Sequence, residues 1–404
     1  MTDLYDPLNS LREGHWFKLI CGASFQHLPA VRNLALAYAL AGADCIDVAA
    51  DPAVIASARE ALQSLPVLAE AAQARGFAEP RVPWLMVSLN DGEDPHFRKA
   101  AFRASDCPIE CHRPCEQICP TQAITFQASA QAMFDQTAAE GFSGVLSDRC
   151  YGCGRCLPVC PVQHIHARSY VSMPATVAPL VLQQGIDALE IHTQVGRLTD
   201  FARLWSAILP WLNRLKLIAI SCPDGEGLID YLWALYNIMT PLPCALVWQT
   251  DGRPMSGDIG VGTTRAAVKL GQKVLAAGLP GFVQLAGGTN QHTVAKLREI
   301  GLLKTVASSP NHPVIAGIAY GSYARVLLAP LLEQLEKGVT HETLFCSQNE
   351  LQLQTSDGTG TSTVVAPRSR PGLESSRLES VPDLLWHAVS LALSLTSQLK
   401  SSCY

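Results

Sequence analysis

The 404 residues are 48% hydrophobic and only 16% charged, which describes a core-rich globular chain and excludes a disordered one. A net charge of −5 with no basic run argues against nucleic acid as a partner. The start of the chain lacks the charged-then-apolar plan of a signal peptide, and no stretch suits a membrane span; the nearest, 381–398, contains Asp383 and His387.

Short apolar runs alternate with helical patterns along most of the chain. Residues 16–23 read as a first strand and 27–41 as a helix ended by Gly42. A second strand over 44–50 leads into one helix over 52–75, and 83–90 is a third strand. A cysteine-rich segment intervenes. The rhythm resumes with a helix over 174–184 and strands at 188–193, 215–222, 243–250, 281–288 and 314–321. Eight buried apolar strands with helices between them predict a (β/α)8 TIM-like barrel; an open doubly wound parallel sheet is the alternative.

The expected organisation is a first barrel part over 1–104, an inserted module over 105–167, a second barrel part over 168–337 and a tail over 338–404. In the tail, 354–379 is rich in Ser, Thr, Gly, Pro and Arg and reads as a disordered linker. Helical periodicity returns over 382–400, in a helix expected to dock on the barrel rather than on a partner.

The module carries the chemistry. Cys150, Cys153, Cys156 and Cys160, closed by Pro161, form the C-x2-C-x2-C-x3-C-P run of bacterial ferredoxins. A second run upstream places Cys107, Cys111, Cys115 and Cys119 before Pro120, and Pro108 and Pro114 exclude one continuous helix through it. Zinc sites favour two separated Cys-x2-Cys pairs, and disulfides need an oxidising compartment, so iron–sulfur binding is the reading. Eight of the fourteen cysteines lie in these runs, which fits a reducing cytoplasm. In two-cluster ferredoxins the fourth cysteine ligates the other cluster. That rule assigns Cys107, Cys111, Cys115 and Cys160 to cluster 1, and Cys150, Cys153, Cys156 and Cys119 to cluster 2. Both are expected to be 4Fe–4S. The wider spacing of the first run leaves 3Fe–4S open for its cluster. Residues 120–126 and 144–148 read as short strands flanking the clusters, with an extra helix over 128–140.

Two glycine turns, Gly287-Gly288 and Gly321-Ser322, fall after strands seven and eight, where phosphate-binding barrels place theirs; FMN would be the natural ligand. Other strand ends offer Cys21, Ser24, Asp47, Glu190, His192, Asp224, Glu226, Asp251 and Asp258 as the set from which an enzyme would draw acids and bases. No serine elbow or Walker loop is present, so hydrolase and kinase readings gain no support.

With these residues in view, the chain resembles the cyanobacterial light-dependent period family, LdpA. The matching segments are 11–26, 94–100, 111–120 and 148–156, and the resemblance spans roughly 8 to 337, leaving the tail outside it. It implies a cytoplasmic iron–sulfur protein that reports redox state to the circadian clock and associates with clock input proteins. Three functions follow as alternatives. They are a non-enzymatic redox sensor, a flavin oxidoreductase exchanging electrons between a donor or acceptor and the two clusters, and a barrel whose clusters only staple the module.

Overall fold

A computed structural model describes residues 6–22, 27–92, 98–119, 122–126, 144–146, 150, 156–169, 174–252, 262–304, 313–336 and 377–400. Ser24, Cys153, Asp258, the helix expected over 128–140 and most of the expected linker lie outside the described residues.

The chain enters through α1 (Pro7–Glu13), with Pro7 in the first turn and the Asp6 carboxylate accepting the Asn9 amide at 3.0 Å. Ten strands follow: β1 (Trp16–Ile20), β2 (Cys45–Ala49), β3 (Trp84–Asn90), β4 (Arg98–Ala101), β5 (His166–Ser169), β6 (Ala188–His192), β7 (Leu217–Pro223), β8 (Ala245–Asp251), β9 (Phe282–Ala286) and β10 (Gly317–Tyr320). Eight of them close a parallel barrel in the order β1-β2-β3-β6-β7-β8-β9-β10, with β10 returning to β1. Closure removes the open-sheet alternative. The barrel strands lie within three residues of their expected positions.

Strand alternation divides the apolar residues into two layers. Outward residues such as Phe17, Leu19, Ile46, Val48, Val87, Ile218 and Leu285 pack under the helices. Inward residues at the strand starts, Trp16, Cys45, Trp84, Met86, Leu217 and Val247, fill the barrel floor, and Leu11 of α1 closes it from below. Trp16 and Trp84 meet edge to face at 5.6 Å.

The outer layer consists of α2 (Leu28–Leu40), α3 (Pro52–Gln63), α4 (Leu65–Gln73), then, beyond the cysteine segment, α7 (Pro174–Leu182), α8 (Leu198–Ile208), α9 (Leu228–Met239), α10 (Thr264–Ala276), α11 (Thr293–Glu299) and α12 over residues 322–336. The single helix expected over 52–75 is two. Pro66, in the first turn of α4, lacks the amide that would continue α3.

The tail corrects a second expectation. Residues 377–379 were read as linker, yet Leu378–Ser380 forms a turn in which Leu378 is fully buried. The Leu378 amide donates to Asn33 Oδ1 at 3.1 Å, and the Arg32 guanidinium grips both Glu379 carboxylate oxygens. The terminal helix α13 (Pro382–Lys400) docks on its own barrel against α2, as expected. Thr396 donates to Ala41 O at 2.6 Å, and buried Lys400 Nζ reaches Asp44 at 2.6 and 2.8 Å and Ser10 Oγ at 2.7 Å.

Between β3 and α7 the chain runs out along β4 and returns along β5. These pair antiparallel from Arg98↔Ser169 to Ala101↔His166 and form a neck to the cysteine segment. Sequence reading missed this ladder, because neither strand carries an apolar run. Lys99 Nζ lies 3.4 Å from Asp51, which follows β2, so the neck stands at the carboxyl ends of the barrel strands.

Candidate functional site

Beyond the neck, two short helices carry the thiols: α5 (Pro114–Ile118) and α6 (Cys156–Val159). Pro114 opens α5, and Arg113 before it takes a left-handed conformation (φ 53°), so the first run is broken where its prolines predict. One antiparallel bridge, Ile124↔Val145, joins the two stretches expected as strands.

Within the first run, the Cys107 and Cys111 thiols lie near enough to act on each other electrostatically. Cys160, from the other run, lies near enough to act electrostatically on both Cys107 and Cys115. Burial pushes the Cys107 and Cys115 thiols up. Burial acts the same way on Cys160, but the backbone amides of His164, Ile165, Val162 and Gln163 outweigh it and bring this thiol below its ordinary value. The His164 amide is 3.3 Å from its sulfur. Cys119 Sγ accepts the Ala123 amide at 3.2 Å, and Cys150 Sγ accepts the Ala100 amide of the neck at 3.4 Å. Cys115, Cys150, Cys156 and Cys160 are buried together with Phe102, Ile124, Val145 and Ile165, and Cys119 packs against them.

Three of the described run cysteines, Cys119, Cys150 and Cys160, have backbone amides aimed at their sulfurs. Soft donors with amide hydrogen bonds suit an iron–sulfur cluster. Among the described residues, no three His, Cys, Asp or Glu side chains converge as ligands of a single ion.

A second polar constellation fills the barrel above its apolar floor. Lys18 points inward and is fully buried; its Nζ contacts Glu190 Oε2, lies 2.9 Å from Asp47 Oδ2 and donates to Gln249 Oε1 at 3.0 Å. Gln249 Nε2 donates to Glu190 Oε1 at 2.8 Å and to Ser221 Oγ at 3.2 Å. Ser221 donates to Asp251, and Ser88 donates to Asp47 Oδ1 at 2.8 Å. Below, Gln284 Nε2 donates to Gln249 Oε1 at 2.6 Å, and Gln284 Oε1 accepts from Trp16 Nε1 at 2.5 Å. His192 Nε2 sits 3.1 Å from Glu190 Oε1 at the mouth.

Burial opposes charge on Lys18, but Asp47 and Glu190 outweigh it and keep the ammonium protonated. Burial also opposes the Glu190 carboxylate, which Lys18 and His192 hold well below the usual range. Asp47 is pushed up, burial exceeding the help of Lys18. His192 loses solvation yet is raised to about 9 by Glu190, so it is an imidazolium at neutral pH.

Of the strand-end residues named from sequence, the fold gathers Asp47, Glu190, His192 and Asp251. Cys21 is buried at the end of β1, while Asp224 and Glu226 are exposed, Asp224 paired with Lys273 at 2.6 Å. Sequence reading missed Lys18, Ser88, Ser221, Gln249 and Gln284. Each is a polar residue at an inward position of an apolar strand, a signal readable once alternation is assigned.

At the glycine turns, Gly287 and Gly288 have φ of 63° and 97°. A Cβ on Gly288 would lie 2.9 Å from the Thr263 carbonyl oxygen, and Thr263 Oγ1 donates to Gly288 O at 2.9 Å. Gly321 has ordinary surroundings, and Ser322 Oγ accepts from Arg325 at 3.1 Å.

Residues 107–171 match the model of the LdpA Fe-S cluster-binding domain, and 180–398 match that of the Light dependent period A C-terminal domain. The second match runs through α13, which corrects the expectation that the tail lies outside the resemblance. A curated protein of Synechococcus elongatus, "Light dependent period A", is 54% identical over 329 residues, 81% of this chain and 85% of that protein. The family models cover the cysteine segment, β6 to β10 and α13 to residue 398, and the chain belongs to the light dependent period A family.

Proposed function

We propose that this chain is a cytoplasmic iron–sulfur redox sensor that couples redox and light state to the circadian clock through redox-dependent binding of clock input proteins. Cys107, Cys111, Cys115 and Cys160 would hold one cluster, and Cys119, Cys150, Cys153 and Cys156 the other. The observation supporting this division is the position of Cys160, beside two thiols of the opposite run. When bound, a cluster supplies reversible one-electron chemistry. The chain's part is to hold the thiolates, aim amides at their sulfurs and anchor Cys150 to the neck, so that a change of cluster charge or integrity bears on the order of the segment.

Anaerobic purification with iron, sulfide and flavin assays and electron paramagnetic resonance on one sample tests the cofactor part. Pull-down of clock input proteins under reducing and oxidising conditions tests the sensing part. Two clusters and redox-dependent capture are the expected result; equal capture in both states rejects sensing by this route. A second reading, an oxidoreductase with FMN phosphate at Gly287, Gly288, Gly321 and Ser322, draws support from the charged barrel interior, and a flavin-free preparation that binds no added FMN rejects it.

A further inference from the structure

The outgoing limb of the cysteine segment is held at its root by several groups. Thr193 Oγ1 donates to Asp91 Oδ2 at 2.5 Å and accepts from Tyr231 Oη at 2.5 Å, while Arg197 Nη1 donates to Asp91 Oδ1 at 3.1 Å. The next residue, Gly92, lies so close to this guanidinium that a Cβ would come within 2.5 Å of Nη1. Asp91 and Gly92 are therefore a fixed root.

Further out, β4 meets the barrel through an ion pair, Lys99 Nζ to Asp51 Oδ2 at 3.4 Å. The two side chains are only 15% and 3% exposed, so solvent screens the pair less than a surface one. Asp51 is also the N-cap of α3. Its Oδ1 accepts the Ala53 amide at 2.8 Å, and its carbonyl accepts the Ile55 amide at 2.9 Å. One carboxylate thus holds the neck with one oxygen and the first turn of α3 with the other. Lys99 keeps that carboxylate in the rotamer that presents Oδ1 to Ala53.

The neighbour of Lys99 on β4 is Ala100, whose amide leaves the ladder and donates to Cys150 Sγ at 3.4 Å. A two-stranded ladder of four residue pairs is marginal by itself. A sulfur held as a cluster ligand gives this strand a fixed, negatively charged acceptor, and a released sulfur does not. Lys99 is a rotamer-rich side chain that keeps its partner only while its strand is held in place.

We propose that Lys99 and Asp51 form a latch that reports cluster loss to the barrel. While Cys150 is a cluster ligand, β4 is held and Lys99 orders the first turn of α3. When the cluster is lost the latch opens and that turn loosens, with Asp91 and Gly92 staying fixed as the pivot. The inference rests on Cys150 being a ligand, as proposed above, and adds where in the barrel the change is felt. It runs through Lys99 and Ala100 of the neck itself, so the length of chain beyond Ala101 does not enter.

Hydrogen exchange followed by mass spectrometry tests this on the full chain, purified anaerobically, before and after its iron is removed with ferricyanide and a chelator. Removal should speed exchange of the Ala53 and Ile55 amides about threefold to fivefold, the loss expected for one ion pair. Exchange in β6 to β10 should not change. Lys99→Met should show the faster exchange with its clusters intact, and no further increase when they are removed. Asp51→Asn, which keeps an acceptor for Ala53 and loses the charge, should behave like Lys99→Met. Exchange in α3 that ignores iron removal, or that responds equally in unmodified protein and in Lys99→Met, overturns the proposal. If either variant misfolds, unmodified protein with and without iron decides alone. Electron paramagnetic resonance on the same samples separates two failures. A chain that purifies without clusters rejects the ligand assignment and the latch with it, whereas a latch that stays shut in a cluster-bearing chain overturns the latch alone.

Discussion

The barrel and the cysteine segment bury their interiors by different means. Barrel strands pack two apolar layers, with floor, shell and helices closed around residues such as Trp16, Trp248, Phe17 and Leu34. Among the described residues of the segment, nine buried side chains pack together, and four are the thiols Cys115, Cys150, Cys156 and Cys160. Where thiols make up so much of the packing and also hold a metal, metal binding is part of the folding energy. The contrast predicts one region stable by composition and the other by what its cysteines hold.

The sharpest way to break that contrast is Cys160→Ser. It should abolish one cluster outright and strip amide protection from the described stretches of 98–169, while protection in β6 to β10 stays unchanged. Hydrogen exchange followed by mass spectrometry reads both; uniform loss of protection would mean that the two regions share one folding unit.

Lys18→Met asks whether the barrel is as apolar in logic as its floor suggests. It leaves Asp47 and Glu190 without their cation in a dry interior, and a cost of about 3–5 kcal/mol in denaturant melts is expected. Adding Glu190→Gln should recover part of it, since the two positions touch. Lys400→Met strands Asp44, which keeps the Phe17 amide at 2.7 Å, so a smaller loss of about 2–3 kcal/mol is expected, with the cluster signal untouched.

Gly288→Ala should cost about 1–3 kcal/mol, because it demands φ 97° of an L-residue and drives a Cβ toward the Thr263 carbonyl. The smallest effect is a pH dependence. His192 has its folded value raised from 6.5 to about 9, so the stability it contributes is fully present below pH 6.5 and fades as pH rises toward 9. His192→Gln should flatten that part of the stability profile.

Strands were legible because parallel barrel strands are buried on both faces and read as unbroken apolar runs; Ile46, Val87 and Ile218 sit where such runs place them. Cysteine spacing carried the cluster reading for the same local reason. What escaped was set by tertiary position. Pro66 splits a helix whose apolar periodicity runs on, and β4 and β5 pair through their backbones with no side-chain pattern to announce it. Lys18 carries no local signal of its burial, and only closure of the barrel turns it inward to meet Glu190, 172 residues away in the chain.

The neck carries a consequence for how such a molecule changes over generations. Because β4 and β5 run side by side, the chain leaves and re-enters the barrel at neighbouring points, Arg98 facing Ser169. The scaffold meets the same gap whatever length of polypeptide lies beyond, and loop closure already paid at the neck is not paid again. Insertions and deletions past Ala101 and before His166 are therefore mechanically silent to the barrel, and the thiol-bearing segment can be exchanged as a cassette without re-registering a barrel strand.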